Sequence, residues 1–327
     1  MAQLSYIEAV TKAMRDAMHR DEKVFILGED VGVRGGVFRA TAGLIEAFGE
    51  KRVIDSPLSE SLIVGASIGA AAYGMRPIAE IQFADFIMPA VNQIISEAAK
   101  LRYRSNNDWH CPLVIRTPYG GGVHGGLYHS QSIESLFASV AGLKIVMPAT
   151  PYDAYGLLAA SIEDNDPVLF LEHKRCYRLI KGEVPDEPYT LPIGKADVKR
   201  EGTDVTVISY GLSLHFALEA ADKLAREGIS AHVLDLRTVR PLDKEAILEA
   251  TAKTGKVLIV HEDNKTGGIG GEVSALIAEE ALFELDAPIV RLGGPDIPAM
   301  PYSSPLEKEY MLNARKVEQA MRDLAEF

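Results

Sequence analysis

The chain has 327 residues, 47% of them hydrophobic and 24% charged, a composition typical of globular domains that need no disulfide or metal staples. Its formal net charge of −12, with no basic cluster to offset it locally, excludes nucleic acid and anionic membrane surfaces as expected partners. Cys111 and Cys176 stand far apart and outside any Cys-x-x-Cys pair, which points to a reducing compartment rather than a disulfide framework. Residues 1–23 combine helical spacing with mixed charges and carry no secretory or transit pattern. The longest uncharged apolar stretch, between Glu60 and Arg76, is too short to span a bilayer comfortably, so a cytoplasmic protein is expected.

In chain order, short runs rich in Val and Ile predict strands over 24–28, 77–81, 112–116, 144–147 and 168–171. Helical patterns fall between them at 60–73, 86–103, 132–138 and 152–163. Pro151 suits a first helical turn, with Thr150 available as its N-cap. From Leu179 the texture changes, with Pro185, Pro188 and Pro192 among charged residues, and the segment reads as a linker or a strand-like crossing arm. The rhythm resumes with strands at 205–209, 230–236, 257–260 and 288–292 and helices near 214–226, 243–254 and 270–283. Strands alternating with helices predict parallel sheets covered on both faces. The economical division is an α/β domain over 1–180, a linker over 181–203 and a second α/β domain over 204–327.

The most informative stretch runs from Asp55 to Gly69. Glu60 opens a helix, and Gly65 and Gly69 share one face of it, which permits close backbone approach. Taken alone, Glu60 is most simply a carboxylate complementing the positive helix N-terminus. Glu60, Gly65, Ala66, Gly69 and Ala70, however, fall in the pattern E-x4-G-Φ-x-x-G-Φ, where Φ is apolar. Further motifs follow in order: Gly28-Glu-Asp-Val-Gly32, Gly35-Gly-Val-Phe38, Arg76-Pro-Ile-Ala-Glu80, Tyr119-Gly-Gly-Gly122, Tyr128-His-Ser-Gln-Ser132, Asp235-Leu-Arg-Thr238 and Pro241-Leu-Asp243. Several are weak singly, but as an ordered set they resemble the E1 beta subunits of thiamine-diphosphate-dependent 2-oxo acid dehydrogenase complexes over most of the chain.

That resemblance implies an α/β fold of two parallel-sheet domains, a thiamine-diphosphate-binding pyrimidine domain followed by a transketolase C-terminal-like domain. It places Glu60 against N1′ of the cofactor's aminopyrimidine, where a carboxylate favours the imino tautomer whose nitrogen takes the thiazolium C2 proton. Gln82, Phe86 and Glu29 match cofactor-site positions, with Phe86 on the ring face; a strand-end amide and a core aromatic are the plainer readings of the first two. His129, which could be a structural hydrogen-bonding group ahead of a helix, matches the active-site histidine facing the 2-oxo acid and the incoming lipoyl group. His124 is a weaker second candidate. A structural potassium site on Leu113, Ser161, Asp164 and Asp166 is implied too, against the plainer reading of a solvated helix end.

Gly267-Gly-Ile-Gly-Gly271 precedes a helix but does not fit G-x-G-x-x-G, because Val273 takes the last glycine position; nicotinamide chemistry is assigned elsewhere. The Gly-Asp-Gly that begins the Mg²⁺–diphosphate motif of such enzymes is absent. A separate alpha chain is therefore expected to bring the Mg²⁺ and diphosphate end in an α2β2 assembly. The E2 acyltransferase is expected to engage it through its subunit-binding and lipoyl domains, with Phe327 and Asp296 as contact candidates by resemblance. Around Tyr128, Gln82 and Arg102 the motifs look most like branched-chain 2-oxo acid dehydrogenases, with pyruvate or acetoin as the near alternative. A non-catalytic assembly subunit is the remote one, disfavoured by retention of Glu60.

Overall fold

The structure, a computed structural model, describes residues 1–327 and divides into two compact units, Met1–Tyr119 with Phe137–Ile193, and Gly120–Leu136 with Gly194–Phe327. Strands of the first unit are β1 (Ala2–Ser5), β2 (Val24–Gly28), β3 (Val53–Asp55), β4 (Arg76–Glu80), β5 (Val114–Tyr119), β6 (Lys144–Val146), β7 (Val168–His173) and β8 (Lys181–Val184). Its main sheet runs β6-β7-β5-β4-β2-β3, and every pairing among these strands is parallel. Both faces are covered, so β5 and β7 are buried along their whole length, and β7 opens on the unbroken apolar run Val168–Leu171.

The expected helices at 60–73 and 152–163 form as Glu60–Ala72 and Pro151–Glu163, the latter with Pro151 at its start and Thr150 accepting the Asp153 N–H at 3.2 Å. The continuous helix expected over 86–103 does not form. Pro89 lacks an N–H and clashes with the preceding turn, and the chain instead breaks into a 3₁₀ turn Ala84–Ala90, a π turn Gln93–Glu97 and short pieces up to Arg104. Helix Tyr6–Arg20 begins with a reciprocal box in which Ser5 N–H donates to Glu8 at 2.7 Å and Ser5 Oγ accepts from Glu8 N–H. Ser5 also closes the antiparallel pair β1–β8, a pairing that residue periodicity did not reveal.

In the second unit the strands are β9 (Asp197–Arg200), β10 (Val205–Ser209), β11 (Ala231–Asp235), β12 (Thr238–Arg240), β13 (Val257–Asn264) and β14 (Val290–Gly294). The order β14-β13-β10-β11-β9 is parallel except for β9, an antiparallel edge drawn from the proline-rich stretch. Asp243, the last residue of the Pro-Leu-Asp motif, caps helix Lys244–Thr254 and also accepts the Ala196 N–H at 3.1 Å. The glycines at 268 and 270 make room for a buried histidine: a Cβ on them would lie 2.5 Å and 2.8 Å from the His261 ring.

Candidate active site

Three adjacent parallel strands, β3, β2 and β4, deliver the expected cofactor residues to one edge of the first unit's sheet. Glu29 follows β2 directly, Glu60 opens the helix after β3, and Gln82 follows β4. In open α/β sheets the carboxyl ends of the strands are where ligands bind. Gly28 lets β2 and β4 approach closely, since a Cβ there would meet the Glu80 carbonyl oxygen at 2.8 Å. Beside them the loop after β2 is tied down by Asp55, which accepts the Gly32 N–H at 2.7 Å, and by Thr41, whose hydroxyl donates to the Val31 carbonyl at 2.7 Å.

Glu29 and Glu60 are electrostatic neighbours. Burial raises the Glu29 carboxyl above its ordinary value, the Glu60 and Asp30 charges raise it further, and the Ser59 N–H opposes them. Glu29 Oε1 is buried with no hydrogen-bond partner, an arrangement that costs free energy unless something else supplies a donor. Glu60, Gln82 and Phe86 are half-buried, and Phe86 meets Phe83 edge to face at 5.6 Å between ring centres. Two carboxylates, one oxygen of them unsatisfied, together with an amide and an aromatic ring, fit the donors, acceptors and flat face of an aminopyrimidine.

Beneath this edge lies a buried ionic cluster that pattern reading missed. Arg116 on β5 donates to both Glu172 oxygens on β7, at 2.6 Å and 2.8 Å, and to Glu80 on β4 at 2.7 Å. Tyr177 adds its hydroxyl to Glu172 at 2.7 Å. Burial raises the Glu80 carboxyl, while Arg116 pulls it back. The available signal was charge inside strands that are otherwise apolar: Glu80, Arg116 and Glu172 are each at most 5% exposed.

His129 belongs to Gly120–Leu136, which packs with the second unit. It is half-buried, and a Cβ on Gly125 would lie 2.7 Å from its own Cβ, so glycine is needed for the loop to fold back. His124 sits at φ 56°, its N–H donating to Glu307 at 3.1 Å and its Nδ1 2.5 Å from the same carboxylate. That contact accounts for His124 as an anchor of the loop.

The oxygen cluster near residue 164 is taken up by the chain's own cations. Asp164 pairs with Lys144 at 2.5 Å and Asp166 with Arg102 at 2.9 Å, while Arg76 donates to the carbonyls of Ile162 and Asp164 at 3.0 Å each. Ser161 donates to the Leu157 carbonyl and Leu113 accepts from Val168 N–H. No group of three or more His, Cys, Asp or Glu side chains is placed to hold a metal ion. No helix is long and apolar enough to cross a membrane.

Comparison with known proteins agrees with this architecture. The family model "Transketolase, pyrimidine binding domain" matches residues 2–180, and "Transketolase, C-terminal domain" matches residues 194–317. A solved split-gene transketolase, described as an inactive beta4 tetramer, superposes with a TM-score of 0.81 at 24% identity, covering 99% of this chain and 98% of that one; it supports the fold. The 2-oxoisovalerate dehydrogenase subunit beta of Bacillus subtilis (strain 168) is 71% identical over 327 residues, 100% of both chains. The pyruvate dehydrogenase E1 component subunit beta of the same organism is 48% identical, again over 100% of both. The chain belongs to the family of 2-oxo acid dehydrogenase E1 beta subunits.

Proposed function

We propose that this chain is the beta subunit of a branched-chain 2-oxo acid dehydrogenase E1 component, acting with an alpha chain on 3-methyl-2-oxobutanoate and its homologues. The observation that carries the substrate class is 71% identity over the full chain to a 2-oxoisovalerate dehydrogenase beta subunit, against 48% to a pyruvate dehydrogenase one. The latter keeps pyruvate as the second reading.

Thiamine diphosphate, when bound, supplies the nucleophile and electron sink for decarboxylating the 2-oxo acid and passing its acyl group to a lipoyl arm. Glu60 would hold the proton at N1′ of its aminopyrimidine. Glu29, with its unpartnered Oε1, and Gln82 would fix the ring's polar edge, and Phe86 would cover a face. Burial, and then the neighbouring Glu60 charge, raise the Glu29 carboxyl above its ordinary value, a cost that a donor on the ring would offset. His129 would meet the substrate carboxylate or the arriving lipoyl group.

This chain has no Gly-Asp-Gly for the Mg²⁺–diphosphate end, which supports delivery of that end by an alpha subunit in an α2β2 assembly. Helix Glu60–Ala72 supports it as well. The helix is apolar on every side, yet Leu62, Ala66, Gly69 and, just beyond it, Tyr73 are exposed in the isolated chain, and a Cβ on Gly69 would meet nothing within 4 Å. A helix apolar all round is normally covered. The E2 core would dock on the second unit, where Phe327 is exposed and Asp296 accepts from Thr266 at 2.7 Å. A potassium ion at Leu113, Ser161, Asp164 and Asp166 would depend on main-chain carbonyls, because both carboxylates are ion-paired.

Reassembly with the alpha chain, followed by kcat/KM on 3-methyl-2-oxobutanoate and on pyruvate, tests the substrate class. A preference of at least about 10- to 200-fold for the branched acid, the range for a single methylene, is expected from its two extra methyl groups in an apolar pocket. Pyruvate ahead by a similar margin would transfer the chain to the second reading.

A further inference from the structure

The second unit holds the segment Gly120–Leu136 on carboxylates that the chemistry above does not use. Glu262, on β13, accepts the Gly121 N–H at 2.6 Å. Glu307, on helix Ser304–Tyr310, accepts the His124 N–H at 3.1 Å. At the other end of the segment the polarity of the contact reverses. There the loop itself contributes the carboxylate, Glu134, which accepts the Tyr210 hydroxyl at 2.9 Å. Tyr210 immediately follows β10, in the middle of the sheet, so this contact ties the loop to a rigid point. His129 lies between the anchors.

Glu134 is fully buried, and its Oε2 has no hydrogen-bond partner. The charges acting on it are the carboxylates of Asp263 and Glu262, while Tyr210 supplies the one side-chain donor. Of the nearby titratable groups, Tyr310 is raised by burial and by Glu262 and Asp263, and His261 is lowered to about 4 by burial, so neither brings a positive charge at neutral pH. A buried anion with one bare oxygen among other anions is strongly disfavoured.

We propose that Glu134 is a positioning residue: as the neutral acid bonded to Tyr210, it fixes the far end of the loop that presents His129. The proposal rests on the reading of His129 as an active-site group. Burial, with Asp263 adding to it, holds the Glu134 carboxyl well above the usual carboxylate range, so the protonated form persists in the folded chain. The sign follows. The hold is complete at acid pH and weakens as pH rises through that raised value, because the buried charge beside Asp263 and Glu262 draws the segment toward water, against the Tyr210 and Glu134 N–H bonds that favour the carboxylate.

The complex with the alpha chain is prepared with wild type, Glu134→Gln, Glu134→Ala, Tyr210→Phe and His129→Ala. Hydrogen–deuterium exchange of residues 120–136 and acyl transfer from 3-methyl-2-oxobutanoate to a lipoyl domain are followed between about pH 6 and about pH 9. Gln, neutral throughout, is expected to keep wild-type turnover and to show less loosening of the loop than wild type at the alkaline end. Ala and Phe are expected to raise loop exchange and lower kcat for acyl transfer, each by about tenfold, the loss of one buried hydrogen bond. Tyr210→Phe removes a single hydroxyl and keeps the fold testable if Glu134→Ala is unstable. Unchanged loop exchange in Ala and Phe overturns the proposal, as does a Gln variant that follows the wild-type pH dependence of exchange. A loop that loosens as expected beside a fully active His129→Ala supports the clamp and removes His129 from the active site.

Discussion

Glu60→Gln, in the chain reassembled with its alpha partner, is expected to lower 2-oxo acid decarboxylation by about 10²- to 10⁴-fold, the range for losing a positioned acid–base group. The magnitude separates the two readings of this residue. As a helix N-terminal charge Glu60 is worth about 0.3–1 kcal/mol of stability and nothing in turnover. As the proton holder at N1′ it governs the rate while the fold barely responds. Steady-state decarboxylation and thermal unfolding of the same two samples decide between them. Equal turnover in wild type and variant would leave Glu60 as a helix-end charge, and would leave Glu29, with its unsatisfied oxygen, as the carboxylate to test next.

The largest stability effect is expected at Arg116. Its guanidinium is buried against Glu80 and Glu172, and Arg116→Met leaves both carboxylates without a cation. Breaking a buried pair on one side costs about 3–5 kcal/mol, whereas an exposed pair is worth under about 1 kcal/mol. The loss should be greater at about pH 8 than at about pH 5, because the stranded carboxylates can take up protons at the lower pH. Burial already raises Glu80 even with Arg116 present. Urea denaturation followed by the fluorescence of the single tryptophan, Trp109, reports on the same unit. A loss below about 1 kcal/mol at both pH values would show that the cluster contributes little.

Most of the scaffold could be read from residue patterns because it is built from local signals. Buried parallel strands are continuous apolar runs, and β2 and β10 form over the expected residues. Thr150 and Pro151 marked a helix start by capping chemistry alone. Where the reading failed, a non-local or purely steric cause was at work. Pro89 broke a helix whose apolar spacing was otherwise good. β1 and β8 are strands only because they pair across the length of the first unit. The candidate site divides in the same way. Glu60, Gln82, Phe86 and Glu29 came from ordered motifs, and the fold brings their segments to one sheet edge. Glu80, Arg116 and Glu172 carry no motif; their meaning appears only when three adjacent strands align them. Glu134, in the first turn of helix Glu134–Ala138, likewise carries no motif, and only the fold sets Tyr210 against it.

The proposed function gives this chain half of a cofactor site: the pyrimidine-binding edge without the Mg²⁺–diphosphate end. Its most direct measurement is calorimetric titration of thiamine diphosphate with Mg²⁺ into the chain alone and into the chain reassembled with its alpha partner. Dissociation constants about a hundredfold or more apart are expected, since a pyrimidine edge alone forgoes the charge-assisted contacts to the diphosphate, each worth about 1.5–3 kcal/mol. Equal micromolar binding by the chain alone would contradict the divided site.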